Sequence, residues 1–500
     1  MDRNKELGQV WTPDWLVYSI LDNIGYTCDN PAIINSKIME PSFGSGAFLI
    51  EITRRLIDVC ERYGMKTSDI EDTVNRNIYG IEYDANIFMQ TLQSLKLLCS
   101  SYGFNVPFNN LVRMDALDYN PAVDFDYIVG NPPYVRIQSL SNDMREKMSK
   151  LSAASGNTDL YIAFYDICIN WLELDGKLSF ISPSGWMKGS SQKYFRAMLS
   201  STESIISIHD YSDIRIFDGV DTYSAVLTLR SPVKSMVKHI SEFTYYRMNS
   251  NNQMAFSTHV KFNDFKDGKS LRLLCLNSNE KKILKICLAS DYKNSIQSDF
   301  IVSNGVATLS DSVFLINDGN FNNDSLIYPA IKASKYHGGS IDAKIIFPYI
   351  MDASGRFNII DENELLRNHS LVYNHLITNK DILKKRKRDK GTQWYAYGRS
   401  QSIQITNKQK LIINPIVSPD SNISAYIIPA GTIIYSGLVI TEYDNGMPLK
   451  KLIPIIESNL FHEYAMIVGS PMSGGYRRLS SPDVKSFSMD VINNKHYYMS

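Results

Sequence analysis

The sequence predicts an α/β protein whose first half is a doubly wound, mostly parallel sheet and whose second half is a less regular mixed α/β domain. Three observations carry that prediction. Short β-branched runs alternate with helix-length stretches through the first 230 of 500 residues, as successive βα units do. Several of those runs end in Gly, Asn or an acidic residue, the types found where open α/β sheets bind ligands. Charge divides along the same line: residues 1 to 230 carry 20 Lys plus Arg against 29 Asp plus Glu, so the rest of this net-neutral chain is +9.

Thr12-Pro13-Asp14 opens the first helix, with Thr12 at the N-cap and Pro13 at the first helical position. Strand-like runs follow at 33–39, 78–81, 111–114, 127–129, 178–181 and 205–208, with helical stretches at 47–63, 86–99 and 158–172. From 231 to 260 the sequence turns polar and irregular, notably at Asn249-Ser250-Asn251-Asn252-Gln253, so a first domain is expected over 1–240 and a second over 265–500. The second begins with a helix at 278–289 and has strand-like pieces at 344–349, 410–415 and 432–440. No internal repeat, low-complexity tract or heptad run interrupts either half.

Composition narrows the class. The chain is 44% hydrophobic and 21% charged, ordinary for a globular protein. It has no run of about 18 apolar residues, and Met1-Asp2-Arg3-Asn4-Lys5-Glu6 is too charged for the apolar region of a signal peptide. A cytoplasmic protein that engages no membrane is expected. The six cysteines form no Cys-x-x-Cys pair, so neither a disulfide framework nor a metal site is indicated.

The chemistry lies at the strand ends. Glu40-Pro41-Ser42-Phe43-Gly44-Ser45-Gly46 is a glycine turn leading into a helix, where the absence of a Cβ lets a ligand approach the backbone. It lacks the Gly-x-Gly-x-x-Gly of a dinucleotide site and carries an acidic residue just before it. Glu82 ends the second strand, where an acidic residue can accept hydrogen bonds from ribose hydroxyls. Asp115 follows the third. Asn131-Pro132-Pro133-Tyr134 follows the fourth and combines a hydrogen-bonding amide, two residues that stop a ladder, and an aromatic plate, a set able to hold a planar amine. Each piece alone reads equally well as a tight turn or a helix cap; their succession along one sheet edge favours a ligand site. In the basic half, residues 380–390 hold seven basic and two acidic side chains, enough to attract a polyanion.

In chain order, Gly8-Gln9-Val10-Trp11-Thr12-Pro13, Glu40 to Phe48, Gly80 to Asp84, Asp115-Ala116, Asn131 to Tyr134, Gly176 to Trp186, and Ile216-Phe217 to Ser224-Ala225 closely resemble the motif series of the gamma-ordered DNA adenine-N6 methyltransferases, the TaqI and Eco57I modification methylase group. Segments at 304–309, 347–350, 394–401 and 474–478 resemble that family's target-recognition region less specifically. One departure is Ser42-Phe43, where the family more often has Ala-Cys; with Glu40 and both glycines retained, a small adjustment near the cofactor is expected.

The resemblance implies a Rossmann-like methyltransferase domain followed by a DNA target-recognition domain. Thr12, Glu40, Gly44, Gly46, Glu82, Tyr83, Asp115 and Ala116 would surround S-adenosylmethionine, with Glu82 on the ribose, Asp115 on the adenine amine, and Tyr83 and Ala116 beside the adenine ring. Asn131 and Pro132 would accept the hydrogens of a flipped adenine's amine while Tyr134 stacks on the base, Phe217 being the candidate second plate. Lys384, Lys385, Arg386 and Arg388 would contact phosphates, and Trp394, Arg399, Gln401, Arg477 and Arg478 bases or backbone.

The expected partner is double-stranded DNA, the expected state a monomer, and a separately encoded restriction endonuclease is compatible with both. With seven residues before Gly8, neither an amino-terminal nuclease nor the long leading helical region of multisubunit modification subunits is expected. Three alternatives stand beside this reading: an RNA adenine methyltransferase, a protein glutamine methyltransferase, which shares Asn-Pro-Pro-Tyr, and a DNA-binding protein with a silent methylase fold.

Overall fold

The computed structural model describes residues 11–154, 158–212, 214, 216–217, 223–232, 241–249, 253–262, 275–288, 292–316, 321, 324–386, 388–389, 391–444 and 446–489. The chain divides into two compact units, Met1–Leu276 and Asn277–Ser500.

In the first unit the elements run α1 (Asp14–Ile24), β1 (Ile38–Glu40), α2 (Ala47–Arg62), α3 (Thr67–Asn77), β2 (Ile78–Glu82), α4 (Ala85–Ser101), β3 (Leu111–Arg113), β4 (Phe125–Gly130), α5 (Asn142–Ser149), α6 (Leu160–Cys168), β5 (Leu172–Pro183), α7 (Lys193–Thr202), β6 (Ile205–Asp210), β7 (Ser224–Arg230), β8 (Glu242–Met248) and β9 (Met254–Lys261). They build one nine-stranded sheet of order 3-2-1-4-5-7-6-8-9. Strands β1 to β5 pair in parallel, and β7 runs antiparallel to both β5 and β6. Successive residues alternate between two cores: Ile38 and Val129 face the layer of α1 to α4, while Met39 and Ile128 face the layer of α6 and α7. A strand covered on both faces needs the continuous apolar run seen in its sequence. The doubly wound fold is as expected.

Local departures have physical causes. Pro31–Asn35 is a 3-10 turn capped by the Asn30 side chain, so the first strand starts at Ile38 and not at 33. The 231–260 segment, read as irregular, contains the hairpin β8–β9, which extends the sheet beyond β6. Its alternation of buried and exposed residues is that of an edge with one wet face.

The second unit contains a four-stranded antiparallel sheet, in order Phe300–Asn304, Leu438–Glu442, Lys410–Ile413 and Ala425–Ile428. A second four-stranded sheet joins Leu315–Ile316, Lys344–Ile346, Ile327–Lys332 and Ile433–Ser436. The 432–440 run is thus two strands, one in each sheet, broken at Gly437 with φ 106°. Among the described residues no helix is long and apolar enough to cross a membrane.

Candidate active site

The strand order reverses between β1 and β4, so their outgoing connections diverge and leave a crevice at the carboxyl ends. A cavity of about 780 Å³ opens there, lined by residues that include Thr12, Glu40, Gly44, Glu82, Tyr83, Asp115, Ala116 and Asn131. Residues separated by up to 119 positions therefore share one wall. Gly46 and Pro132 are set back from the lining, as are Tyr134 and Phe217.

The glycine turn is held from both sides. Gly44 N–H donates to Glu82 Oε2 at 2.9 Å, and the Gly44 carbonyl accepts from Thr91 Oγ1 at 2.7 Å. Gly44 has φ 49°, and a Cβ there would enter open space. Gly46 has φ 83°, precedes α2, and a Cβ there would meet Thr91 Cγ2 at 2.5 Å. Both glycines thus hold a left-handed backbone that glycine adopts without strain, and Gly46 is favoured by space as well. Thr91, deep in α4, carries no motif and was invisible in the sequence.

Glu82 also accepts from Asp84 N–H at 2.8 Å. Its two oxygens each hold one backbone amide, leaving acceptor capacity for a further donor, since a carboxylate has about four lone-pair sites. Glu40 is different. Only 3% exposed, it has an oxygen, Oε2, with no hydrogen-bond partner among the described residues. Burial, reinforced by repulsion from Glu82 and opposed by the Leu49 amide, pushes its carboxyl well above the usual carboxylate range. An orphaned buried carboxylate oxygen in a cavity wall is costly and fits a ligand that brings a cation or donor.

Asp115 caps the following 3-10 turn by accepting from Leu117 N–H at 3.0 Å, and its other oxygen accepts from Lys147 Nζ at 3.0 Å. Lys147 also reaches Asp118 Oδ2 at 2.8 Å, and these two carboxylates raise its pKa above the ordinary lysine range. Tyr83 borders the cavity and is 69% exposed, whereas Ala116 is buried.

Thr12 corrects one expectation. The N-cap of α1 is Pro13, without a side-chain capping bond, and the Thr12 hydroxyl instead accepts from Asn131 Nδ2 at 3.1 Å. The residues 8–10 of that motif lie outside the described ones. Tyr134 donates its hydroxyl to Ile181 O at 3.3 Å and meets Phe217 edge-on, with centroids 6.2 Å apart and planes at 67°. Phe217 itself is buried in the core on the α1–α4 side of the sheet.

The second unit distributes its candidates differently. Lys384 and Lys385 are exposed at the end of the helix Lys380–Lys385. Arg386 is not: its guanidinium donates to the carbonyls of Thr308, Leu383, Trp394 and Ala396 and lies 5.0 Å from the Phe314 ring centroid. Burial, with Arg388 nearby, lowers its pKa to about 10. Trp394 is buried and donates to Glu362 at 3.0 Å. Arg388 donates to Gln393 O at 2.9 Å, Arg399 pairs with Asp389 at 3.1 Å, and Gln401 donates to Gly305 O at 3.3 Å. Arg477 and Arg478 form a two-residue strand in which Arg478 is exposed and Arg477 donates to Met466 O at 3.2 Å. Lys387 lies outside the described residues.

Comparison with known proteins bears out the resemblance read from the sequence: residues 48–217 match the family model described as Eco57I restriction-modification methylase. The type II methyltransferase M.BstVI of Geobacillus stearothermophilus is 29% identical over 236 residues, 45% of this chain and 42% of its own. RM.Eco57I of Escherichia coli, a type II restriction enzyme and methyltransferase, is 22% identical over 492 residues, 81% of this chain and 48% of its own. The chain thus spans less than half the length of these relatives. Among solved structures, the type IIL restriction-modification enzyme MmeI in complex with DNA matches over 98% of this chain and 69% of its own, with TM-score 0.65 and 16% identity, a likeness of fold.

Proposed function

Taking residues 48–217 as an Eco57I-type restriction-modification methylase segment, we propose that this protein is a DNA methyltransferase that moves a methyl group from S-adenosylmethionine to N6 of an adenine flipped out of double-stranded DNA. The observation that carries the proposal is the convergence of Asn131 with Glu40, Glu82 and Asp115 on one cavity at the switch point of the sheet.

When bound, S-adenosylmethionine supplies an electrophilic methyl on a positively charged sulfur. The cavity fits such a group: Glu40 Oε2 offers a buried, unpartnered carboxylate to its positive charge, Glu82 retains acceptor capacity for ribose hydroxyls, and Asp115 and Ala116 border the base. Gly44 and Gly46 keep the turn open beside them, and Tyr83, on the exposed side of the cavity, would flank the ring.

The protein's remaining task is to present a poorly nucleophilic amine, whose lone pair is delocalised into the adenine ring. Asn131 Oδ1 and the Pro132 carbonyl accept its two hydrogens, which favours a more pyramidal nitrogen with its lone pair directed at the methyl. The same acceptors stabilise positive charge developing on nitrogen, in geometry fixed before reaction. Thr12 anchors the Asn131 side chain from its amide nitrogen. Tyr134 offers the flipped base a stacking face, worth about 1 to 3 kcal/mol, against an unstacking cost of a few kcal/mol; Phe217 supports that ring edge-on. In the second unit Lys384, Lys385, Gln401 and Arg478 are exposed candidates for phosphate or base contact. The half-buried Arg388, Arg399 and Arg477 join them with part of their hydrogen-bonding capacity, while Arg386 and Trp394 serve as braces for the loops that carry them.

The test is transfer of labelled methyl from S-adenosylmethionine to duplex DNA, followed by identification of the methylated base. N6-methyladenine in DNA supports the proposal. Labelled RNA or protein with unlabelled DNA selects one of the alternative methyltransferases, and cofactor binding without any transfer selects the silent fold.

A further inference from the structure

Helix α5 buries a single side chain, Met148, yet with the turn before it forms the cavity wall over Asp115, through Ser139, Leu140, Ser141 and Met144. A short polar helix with one buried anchor is poorly held by apolar packing. Two basic side chains supply the difference. Arg145 folds back to donate to Ile137 O at 2.9 Å and Gln138 O at 2.8 Å, joining the helix to the 3-10 turn Ile137–Ser139. Lys147 reaches outside the segment, to Asp115 at 3.0 Å and Asp118 at 2.8 Å, and is completed by Asp143 on its own helix at 3.5 Å. Of the three carboxylates only Asp115 lines the cavity.

We propose that Lys147 is a positioning residue for the cofactor, pinning the 137–149 wall to the turn after β3 and fixing the orientation in which Asp115 meets an amine donor. The inference rests on the S-adenosylmethionine reading of the cavity and adds to it a residue outside every motif. With Leu117 N–H on Oδ1 and Lys147 on Oδ2, the Asp115 carboxylate is held at both oxygens and keeps about two acceptor sites for a ligand. Lys147 bonds to Asp115, Asp118 and Asp143, on the cofactor side of the cavity, so its loss is felt in binding and not in turnover.

The experiment uses the full chain, with S-adenosylhomocysteine as a non-reacting probe in calorimetry and methyl transfer for kinetics. Lys147→Met is expected to weaken probe binding and raise the KM for S-adenosylmethionine by about tenfold, with kcat at saturating cofactor within about twofold. Lys147→Arg recovers most of the affinity, and Asp118→Asn, which removes only the more exposed partner, gives a smaller loss. Unfolding midpoints of all three variants separate this effect from lost stability. Equal probe affinity in wild type and Lys147→Met overturns the inference, as does a fall in kcat at unchanged affinity. A folded wild-type protein that binds no probe at all overturns the cofactor reading itself.

Discussion

Glu40 in the first unit and Arg386 in the second are polar groups satisfied in opposite ways. In the first, Glu40 is held at 3% exposure with one carboxylate oxygen unpartnered among the described residues. In the second, the half-buried Arg386 guanidinium donates to four backbone carbonyls, and Lys410, 2% exposed, gives its ammonium to Thr406 O and Thr432 O at 2.8 and 2.9 Å. An unpartnered buried charge is a standing cost that a ligand can relieve; a saturated one is scaffold. On the proposed function, the difference separates a residue kept for binding from residues that hold the fold, although both kinds look alike as letters in a sequence.

The sharpest way to break that comparison is at Asn131. Asn131→Ala is expected to lower methyl transfer by about 10²- to 10³-fold, the scale of losing one preorganised acceptor, while S-adenosylhomocysteine still binds and the melting temperature is unchanged. A protein that loses cofactor affinity and turnover together would make Asn131 part of the scaffold. Its counterpart in the second unit is Arg386. Arg386→Ala strands several carbonyls and should destabilise by about 3 kcal/mol, read as a lower denaturant midpoint, with any loss of DNA affinity tracking the unfolded fraction.

These two residues also mark what the sequence could and could not say. Asn131 was legible because its neighbours constrain it: an apolar run, a Gly, then two prolines leave the amide only one place, the carboxyl end of a buried strand. The glycine turn and the acidic residues at 40, 82 and 115 were legible for the same reason. Arg386 sits in an unbroken run of five basic letters, 384–388, and nothing local distinguishes the one that turns inward. Thr12 looked like a helix cap because its partner, Asn131, lies 119 residues away. Thr91 and Lys147 were missed on the same ground, since their roles exist only through contacts 29 to 47 residues distant. The β8–β9 hairpin escaped because its turn is polar and its strands are amphipathic, which reads as linker until the sheet edge that it pairs with is known.

Glu40 gives a smaller but more diagnostic effect. Because burial raises its pKa in the folded protein, the native state holds a proton that the unfolded chain releases above the ordinary carboxylate range of about 4.3. The unfolded state then binds fewer protons, so this group makes stability fall as pH rises from that range toward the raised value. Glu40→Gln removes the cost: its melting temperature at pH 7 should exceed that of wild type, and the gap should close toward pH 4. The same substitution should weaken S-adenosylmethionine binding about tenfold, since the buried anion is gone. In wild type the affinity should climb with pH as Glu40 loses its proton, and in the variant that part of the climb should be absent. A variant that is both less stable and unaltered in affinity would mean that Glu40 is scaffold after all, and the contrast with Arg386 would fail.

The mildest test concerns Lys384 and Lys385, exposed beside the inward-turning Arg386. If they neutralise phosphates, each contributes one released counterion, so Lys384→Ala and Lys385→Ala should each flatten the slope of log affinity against log salt by about 0.9. The loss should be nearly uniform across DNA sequences, because a phosphate contact carries no base information. Neither variant should move the denaturant midpoint, in contrast with Arg386→Ala one residue further on. An unchanged slope in both would make Lys384 and Lys385 part of a solvated face beside the structural Arg386, and would shift the search for phosphate contacts to exposed cations elsewhere in the second unit, Arg478 first among them.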